Sequence, residues 1–340
     1  MSSSLVAAAT TDRVGMILVM GVTGAGKSYF INKIAEGTVL EGRGLRSKTR
    51  KPQIVTAILG DDSGFDTEIA IVDTPGFDDT DRTDEEILTE ISRFLAAEYL
   101  WEQFDLRGIV YLHRITDPRM QGSAYRYFKM FQSLCGEHAF KNVTLVTTMW
   151  DQLKDEAVGY SRDQELRNDF WSMMEDQGSQ ITTFDGSHEQ AESIVLQLLG
   201  KPPVTLQLQL ELVDYNRQLD HTTAGRPIAA SLDNSIASAA REAEELSHQL
   251  RYATGSQQTY QRENLMRLRD KAEDDARISK HKRNRLKSRT GVEMKQKVKA
   301  EEKVKKSNRM SGKEAISMFA SFLGLTVNLV FAILPLVGVM

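Results

Sequence analysis

The chain has 340 residues, a formal net charge of −4 and one cysteine, and 41% of its residues are hydrophobic. This composition is that of a globular protein, and the length allows one large domain with appendages or two domains. The single cysteine, Cys135, excludes an intramolecular disulfide and fits a reducing compartment. Because the start Met1-Ser-Ser-Ser lacks the charged beginning of a secretory signal, we expect a cytoplasmic protein.

From residue 14 to about residue 205, apolar runs alternate with helical segments, a pattern typical of a sheet with helices on both faces. We therefore predict a disordered N-terminus over residues 1–13 and an α/β domain over residues 14–205. Residues 60–66 are too few for a crossover helix, so the second and third strands should form an antiparallel hairpin in a mixed, mostly parallel sheet. The predicted strands span residues 16–20, 54–59, 68–72, 108–113, 143–147 and 181–184.

The first strand leads directly into Gly21-Val-Thr-Gly-Ala-Gly-Lys-Ser28, which matches the phosphate-binding pattern G-x-x-x-x-G-K-[ST]. Glycines allow such a loop to aim several backbone N–H groups at one anion, and the start of the next helix adds partial positive charge. Lys27 should reach the β- and γ-phosphates, and the Ser28 hydroxyl should bind Mg²⁺. The predicted nucleotide-binding residues here are Gly21, Val22, Thr23, Gly24, Ala25, Gly26, Lys27, Ser28 and Tyr29.

A second motif on the phosphate side, Asp73-Thr-Pro-Gly76, ends the third predicted strand. At this position Asp73 can hold Mg²⁺ through water, and the Gly76 N–H can contact the γ-phosphate. The segment before the second strand offers hydroxyl groups for a further Mg²⁺ contact, of which Thr49 is our choice and Ser47 the alternative. The predicted metal site is therefore Ser28, Thr49 and Asp73, with Mg²⁺ as the cofactor.

A motif for base recognition follows the fifth predicted strand, which ends in Thr148-Met-Trp-Asp151. The Asp151 carboxylate can accept both the N1–H and the 2-amino group of guanine, which adenine does not offer. The motif therefore indicates that the site takes GTP and GDP. Met149 stands where lysine is usual, so a thioether replaces the alkyl stem that covers the base. Thr148 and Asp151 are the predicted residues on the base side.

In this order, the motifs at residues 21–28, 73–76 and 148–151 resemble those of a septin-like P-loop GTPase of the TRAFAC class. The run Gly108-Ile-Val-Tyr-Leu-His-Arg114-Ile-Thr-Asp-Pro-Arg is similar to the conserved box of the avrRpt2-induced and immunity-associated (AIG-type) GTPases. Fungal G-domain proteins with a T-T-M-W-D motif look closer still. The resemblance covers about residues 14–225 and implies a G domain that dimerises and often associates with membranes.

Phe77 follows Gly76 at the position where many small GTPases have a glutamine that orients the attacking water, so the monomer should hydrolyse GTP slowly. In the family that the chain resembles, the arginine of the conserved box can complete a partner's active site, and Arg114 matches that position. The alternative is that Arg114, His113 and Asp117 only form a solvated cluster at the strand end. The catalytic candidates are Arg114 and Thr49.

Residues 206–314 are predicted to form a helical extension, because they have almost no strand-like alternation and many helix formers. An apolar stripe at three- and four-residue spacing marks a helix that packs on the domain or, as in a coiled coil, on another helix. Within the extension, residues 276–313 hold 15 Lys or Arg and 3 Glu, a charge of +12 that leaves −15 for residues 1–275. The stripe consists of Ile236, Ala239, Ala243, Leu246 and Leu250.

Residues 315–340 contain no charged side chain, and we predict that they form an apolar C-terminal helix that serves as a membrane tail anchor. The basic stretch before them should be attracted to an anionic membrane surface. The alternative is an apolar helix that folds back onto the domain or onto another subunit. Residues 280–289 resemble a nucleic-acid patch, but no aromatic residue is interleaved for base stacking, so we expect no nucleic acid partner.

The sequence thus predicts a P-loop G domain with helices on both faces of its sheet, a helical extension and an apolar tail. The predicted function is binding and slow hydrolysis of GTP, stimulated by homodimerisation through the G domain, with the C-terminus tethered to a membrane that faces the cytosol. The competing hypothesis is a nucleotide-dependent scaffold that binds GTP with negligible turnover. Phe77 favours the scaffold and Arg114 argues against it.

Overall fold

The structure is a computed structural model of the chain. It describes residues 13–35, 39, 49, 51–60, 66–77, 82–101, 104–120, 122–252, 259–304 and 312–335. Apart from Arg13, the predicted disordered N-terminus lies outside the described residues, as does the alternative magnesium ligand Ser47.

A seven-stranded sheet forms the centre of the described structure, and its strands are β1 (Val14–Gly21), β2 (Gln53–Gly60), β3 (Asp66–Asp73), β4 (Phe104–Arg114), β5 (Val143–Thr148), β6 (Gln180–Thr183) and β7 (Val327–Pro335). The strand order is β6-β5-β4-β1-β3-β2-β7. All neighbouring pairs are parallel except β2 and β3, which are antiparallel. The six predicted strands and the predicted hairpin are therefore confirmed, whereas β7 was not predicted.

The α-helices of the described residues are α1 (Lys27–Ile34), α2 (Asp84–Leu100), α3 (Ser123–Cys135), α4 (Glu156–Glu165), α5 (Ser172–Asp176), α6 (His188–Leu199), α7 (Gln207–Gln209), α8 (Gly225–Tyr252), α9 (Thr259–Arg285), α10 (Thr290–Val304) and α11 (Gly312–Leu323). Helices cover both faces of the sheet. A Cβ on Gly108 of β4 would lie 2.7 Å from Leu198 of α6. Tyr111, an odd number of residues further along β4 and thus on the opposite face, packs on Phe128 and Phe131 of α3.

Short helical turns complete the chain between these elements. The 3₁₀ turns span Glu137–Asn142, Trp150–Gln152 and Leu219–His221, and the π-helical turns span Leu166–Trp171 and Leu210–Asp214.

The predicted apolar C-terminal helix is wrong, because residues 312–335 form the helix α11 followed by the edge strand β7. Gly324 has a φ of 63°, the left-handed conformation that commonly ends helices. The segment after it is rich in residues with strand propensity, and it pairs in parallel with β2, placing Val327 opposite Ile54. No helix of the described residues is long and apolar enough to span a bilayer.

α11 packs on the domain through aromatic side chains. The Phe319 ring centroid lies 5.7 Å from that of Phe94, 5.4 Å from that of Trp101 and 4.9 Å from that of Phe104. Ile316 and Phe319 are fully buried. Burial of one such side chain contributes about 1.5–3 kcal/mol. The described part of the apolar stretch therefore packs on the domain, as in the alternative in which the tail folds back.

The helical extension begins with two long helices, α8 and α9, that pack against each other. Ala243 and Leu246 of the predicted stripe are buried on α8, and Ala272 and Ala276 are buried on α9. The three alanines among these positions allow the two helices to approach closely. The apolar stripe therefore serves a contact between two helices of the same chain, while a coiled coil stays a prediction.

The basic part of the extension is attached to α2, the helix that follows the Asp73-to-Gly76 motif. Both α9 and α10 pack on α2, and Arg285 of α9 forms an ion pair with Glu86 in the first turn of α2. Partial burial acts to raise the pKa of Glu86, but the hydrogen bonds from Arg285 and the Thr83 backbone, together with the charges of Arg285 and Arg82, outweigh it and lower that pKa. The extension is thus joined to the helix that follows the predicted γ-phosphate contact in the chain.

Candidate nucleotide-binding site

The phosphate loop connects β1, a central strand, to the N-terminus of α1. Gly24 (φ 79°) and Gly26 (φ 86°) have left-handed conformations that glycine adopts without strain. A Cβ on Gly21 would lie 2.3 Å from the Leu112 carbonyl oxygen of β4, so that position also requires glycine. Because α1 begins at Lys27, the free N–H groups of its first turn border the loop.

The Lys27 ammonium lies inside this loop. Its side chain is buried, and Nζ donates hydrogen bonds to the carbonyl oxygens of Gly21 at 3.2 Å and Val22 at 3.0 Å. The loop thereby combines a fixed cation with a helix N-terminus, the arrangement that favours a bound phosphate. A phosphate would compensate the positive charge that the fold concentrates here.

The three predicted metal ligands come together at the end of β3. Ser28 Oγ and Thr49 Oγ1 each donate a hydrogen bond of 2.9 Å to Asp73 Oδ2. Asp73 is fully buried, and its Oδ1 has no hydrogen-bond partner in the described part of the chain. Such an oxygen beside two hydroxyl groups fits a hard cation such as Mg²⁺.

The surroundings of Asp73 shift its pKa in opposing directions. Burial raises the pKa of Asp73, and the charge of Lys27 with the hydroxyl groups of Ser28 and Thr49 acts in the opposite direction. A divalent cation at Oδ1 would add a second positive charge and favour the ionised carboxylate. A bound Mg²⁺ would therefore offset the cost of burying this group.

Gly76 and Phe77 lie directly against the phosphate loop. The Thr23 N–H donates to the Phe77 carbonyl oxygen at 2.6 Å, and the Phe77 N–H donates to the Gly21 carbonyl oxygen at 3.2 Å. A Cβ on Gly76 would lie 2.6 Å from Thr23 Oγ1, so this close approach requires glycine. The Phe77 side chain is fully buried. The residue after Gly76 therefore presents no side chain to an attacking water.

The predicted base-side residues lie at the end of β5, next to the same loop. Thr148 Oγ1 is 3.0 Å from the Ala25 carbonyl oxygen, which ties the base motif to the phosphate loop. Met149 has a φ of 63°, unusual for a residue with a side chain, and its Cε would be 3.9 Å from a Cβ on Gly26. Asp151 is exposed in the following 3₁₀ turn, where its carboxylate is open to a base.

Tyr29, in the first turn of α1, lies against the loop that follows β6. A Cβ on Gly186 would be 3.1 Å from the Tyr29 hydroxyl, and the Tyr29 ring centroid is 6.2 Å from that of Phe184. Gly186 has a φ of 86°, a left-handed conformation that the turn requires. The structure thus brings this loop beside the first turn of α1, although its sequence has no diagnostic pattern.

Arg114 lies at the end of β4, beside the phosphate loop of its own chain. A Cβ on Gly24 would be 3.1 Å from Arg114 Nη1, while Arg114 Nε donates to the Asp117 carboxylate at 3.1 Å. The Arg114 side chain is 36% exposed. His113 is not part of a solvated cluster, because it is buried, and burial lowers its pKa to about 4.

Sequence reasoning missed Tyr127 of α3. Its hydroxyl donates to Asp84 Oδ1 at 2.6 Å, and its ring stacks on Phe77 with centroids 5.7 Å apart. In the sequence it is one of several aromatic residues on the apolar side of α3, and no local signal distinguishes it from Phe128 or Phe131. Only the tertiary structure brings it to the segment after Gly76.

Comparison with known proteins gives one family match. A model of the AIG1 family matches residues 15–201 of this chain. No curated protein matches the chain.

Several solved structures resemble parts of the fold. The crystal structure of Toc33 from Arabidopsis thaliana in complex with Mg²⁺ and GMPPNP is 22% identical, covers 52% of this chain and 72% of that one, and has a TM-score of 0.41. A structure described as showing that dimerization is important for the GTPase activity of the chloroplast translocon components atToc33 and psToc159 is 17% identical, covers 57% and 87%, and has a TM-score of 0.45. These likenesses are distant, and no residue role follows from them.

Proposed function

The chain belongs to the AIG1 family and is a GTPase, and we propose that it hydrolyses GTP slowly as a monomer and faster as a nucleotide-dependent homodimer. The observation that carries the proposal is the contrast between two side chains at the phosphate loop. Phe77 is buried in the core, whereas Arg114 lies beside Gly24 and is partly exposed. The site therefore has a cation that a second copy can approach, but no water-orienting glutamine after Gly76.

In this proposal the phosphates bind to the loop of residues 21–28, with Lys27 as the fixed cation. Mg²⁺ would be held by Ser28, Thr49 and Asp73, and it would neutralise charge on the β- and γ-phosphates. Asp151 would select guanine. The close contact of Gly76 with Thr23 would place the Gly76 N–H near the γ-phosphate, so that this part of the site distinguishes GTP from GDP.

The expected role of Arg114 is to stabilise the negative charge that develops on the transferred phosphoryl group. Arginines in this role accelerate GTP hydrolysis by about 10³-fold or more. The Arg114 guanidinium is fixed by Asp117 through Nε, and this pairing leaves its outer nitrogens on the side of the phosphate loop. In a symmetric dimer the same side chain would reach the loop of the partner.

We expect Arg114→Ala to lower the maximal turnover by roughly 10³-fold, because it removes a transition-state contact, while GTP affinity changes little. Turnover per subunit of the unchanged protein should rise with protein concentration. The measurement is phosphate release across a range of protein concentrations, together with the oligomeric state in the presence of a GTP analogue. Arg119→Ala is the matched control, because Arg119 is exposed and close in sequence.

Two results would contradict this mechanism. A rate per subunit that does not depend on concentration and is unaffected by Arg114→Ala would exclude activation by a partner. Tight GTP binding with negligible turnover at every concentration would favour the nucleotide-dependent scaffold, which the burial of Phe77 also favours.

We also propose that the protein is cytoplasmic and attaches to an anionic membrane surface through the basic stretch of residues 276–313. Among the described residues of this stretch, some cations are in internal contacts, such as Arg283 with Asp220 at 2.7 Å. Other cations are exposed, and these are the ones that anionic lipid headgroups would contact. The exposed cations include Lys280, Lys287, Arg289, Lys297 and Lys299.

We expect the protein to sediment with phosphatidylserine vesicles at low salt and to be released at high salt, because exposed charges are screened. The double variant Lys287→Glu with Arg289→Glu should lose most of the binding. Lys154→Glu with Arg226→Glu, which makes the same charge change at exposed positions outside the stretch, should keep it. Equal loss in both double variants, or no sedimentation at low salt, would refute the basic stretch as the attachment surface.

A further inference from the structure

Tyr127 of α3 contacts two residues on the chain after Gly76, Phe77 and Asp84. Its ring stacks on Phe77, with the ring centroids 5.7 Å apart and the planes at 14°. Its hydroxyl donates a 2.6 Å hydrogen bond to Asp84 Oδ1, at the start of α2. Tyr127 is only 6% exposed. One side chain of α3 is thus in contact both with the residue after Gly76 and with the first residue of α2.

The contact with Phe77 reaches the phosphate loop through the backbone. The Phe77 carbonyl oxygen accepts from the Thr23 N–H, and the Phe77 N–H donates to the Gly21 carbonyl oxygen. Because the ring and the main chain belong to the same residue, a shift of the Phe77 ring would strain both bonds and so disturb the contact of Gly76 with Thr23. The Tyr127 ring stacks on the Phe77 ring and restricts such a shift.

The contact with Asp84 is anchored on a well-fixed helix start. Thr83 and Glu86 form a capping box at the N-terminus of α2, and Glu86 is also ion-paired with Arg285 of α9. A hydrogen bond from a hydroxyl to a carboxylate is stronger than one between neutral groups. Asp84 thus joins the Tyr127 ring to a helix start that is held by its own cap and by α9.

We propose that Tyr127 is a positioning residue that holds Gly76 and Phe77 against the phosphate loop and so determines how strongly the protein distinguishes GTP from GDP. This inference rests on the proposed function, in which the Gly76 N–H contacts the γ-phosphate. When the Tyr127 ring is held by Asp84, the Gly76 N–H is already in place when GTP binds. Without the hydrogen bond between Tyr127 and Asp84, GTP binding must itself bring Gly76 and Phe77 into position. The free energy that this requires lowers GTP affinity but not GDP affinity.

The test is the affinity of full-length variants for GDP and for a non-hydrolysable GTP analogue, measured by calorimetry in Mg²⁺. Tyr127→Phe keeps the ring and removes the hydroxyl. We expect it to weaken binding of the analogue by about tenfold and to leave GDP binding within about twofold. Tyr125→Phe, which removes the same hydroxyl from an exposed position of the same helix, should change neither affinity.

A second variant tests the same hydrogen bond from its other end. Asp84→Ala, which removes the acceptor of this bond, should reduce the ratio of analogue to GDP affinity, and the double variant with Tyr127→Phe should be little worse than either single variant, because both changes remove the same hydrogen bond. Additive effects would overturn the proposal. So would an unchanged affinity ratio, or parallel loss of both affinities together with a lower Tm, which is what a purely structural role predicts.

The outcome for the unchanged protein separates this inference from the proposed function. If the protein binds neither GDP nor the analogue, the nucleotide site itself is refuted, and the role of Tyr127 with it. If the protein binds both, with the analogue affinity lowered selectively in Tyr127→Phe, both are supported. If it binds both and the variants leave the ratio unchanged, the proposed function stands and the role of Tyr127 is refuted.

Discussion

Replacing Lys27 by alanine is expected to weaken GTP binding by roughly 100-fold, which corresponds to about 3 kcal/mol. The reason is that hydrogen bonds to charged groups contribute about 1.5–3 kcal/mol each, and Lys27 would contact two phosphates. The ammonium is held inside the loop by the Gly21 and Val22 carbonyl oxygens. The measurement is the Kd for GTP by calorimetry.

The control for this prediction is Lys129→Ala, which removes an exposed lysine from α3 and should leave GTP affinity unchanged. The Tm of Lys27→Ala should fall only slightly, because the fold loses two hydrogen bonds to loop carbonyl groups. Full GTP affinity in a folded Lys27→Ala protein would mean that residues 21–28 do not bind the phosphates.

Replacing Asp151 by asparagine is expected to change the base preference from guanine to xanthine. The carboxylate accepts two hydrogen bonds from guanine, whereas the amide presents a donor that matches the 2-oxo group of xanthine. A site built for one hydrogen-bonding pattern rejects the wrong one strongly, so GTP affinity should fall by about 10²-fold and XTP should bind better than GTP. Competition with GTP, XTP and ATP measures the change.

Asp169→Asn is the matched control for the base preference, because Asp169 is exposed and lies away from the phosphate loop in the sequence. It should bind GTP as the unchanged protein does. If ATP and GTP compete equally well for the unchanged protein, Asp151 does not select the base and the assignment of the site to guanine nucleotides fails.

Local patterns were sufficient for the central architecture. The apolar runs that became β1 to β6 lie between turn residues, and the connection after β2 is too short for anything but a hairpin. The phosphate loop is also local, because its glycines, Lys27 and Ser28 are adjacent in the chain. Thr49 was chosen from the sequence for its hydroxyl group, but only the fold brings that hydroxyl to Asp73.

The C-terminal segment shows why hydrophobicity alone misled the prediction. An uncharged stretch has the same composition whether it enters a bilayer, packs in a core or adds a strand. Here the Phe319 ring packs on the rings of Phe94, Trp101 and Phe104. The residues after Gly324 pair with the edge of β2. These partners are more than 200 residues away in the chain, so no local sequence pattern predicts the contacts.

The sequence by itself determined the G-domain architecture, the order of its nucleotide motifs and the candidate residues at each, because each depends on residues close together in the chain. Only the tertiary structure decided that the apolar tail adds a helix and a strand to the domain, that Arg285 joins the basic extension to α2, and that Tyr127 supports Phe77. These contacts join distant segments, and their energies depend on shape and burial that exist only after folding.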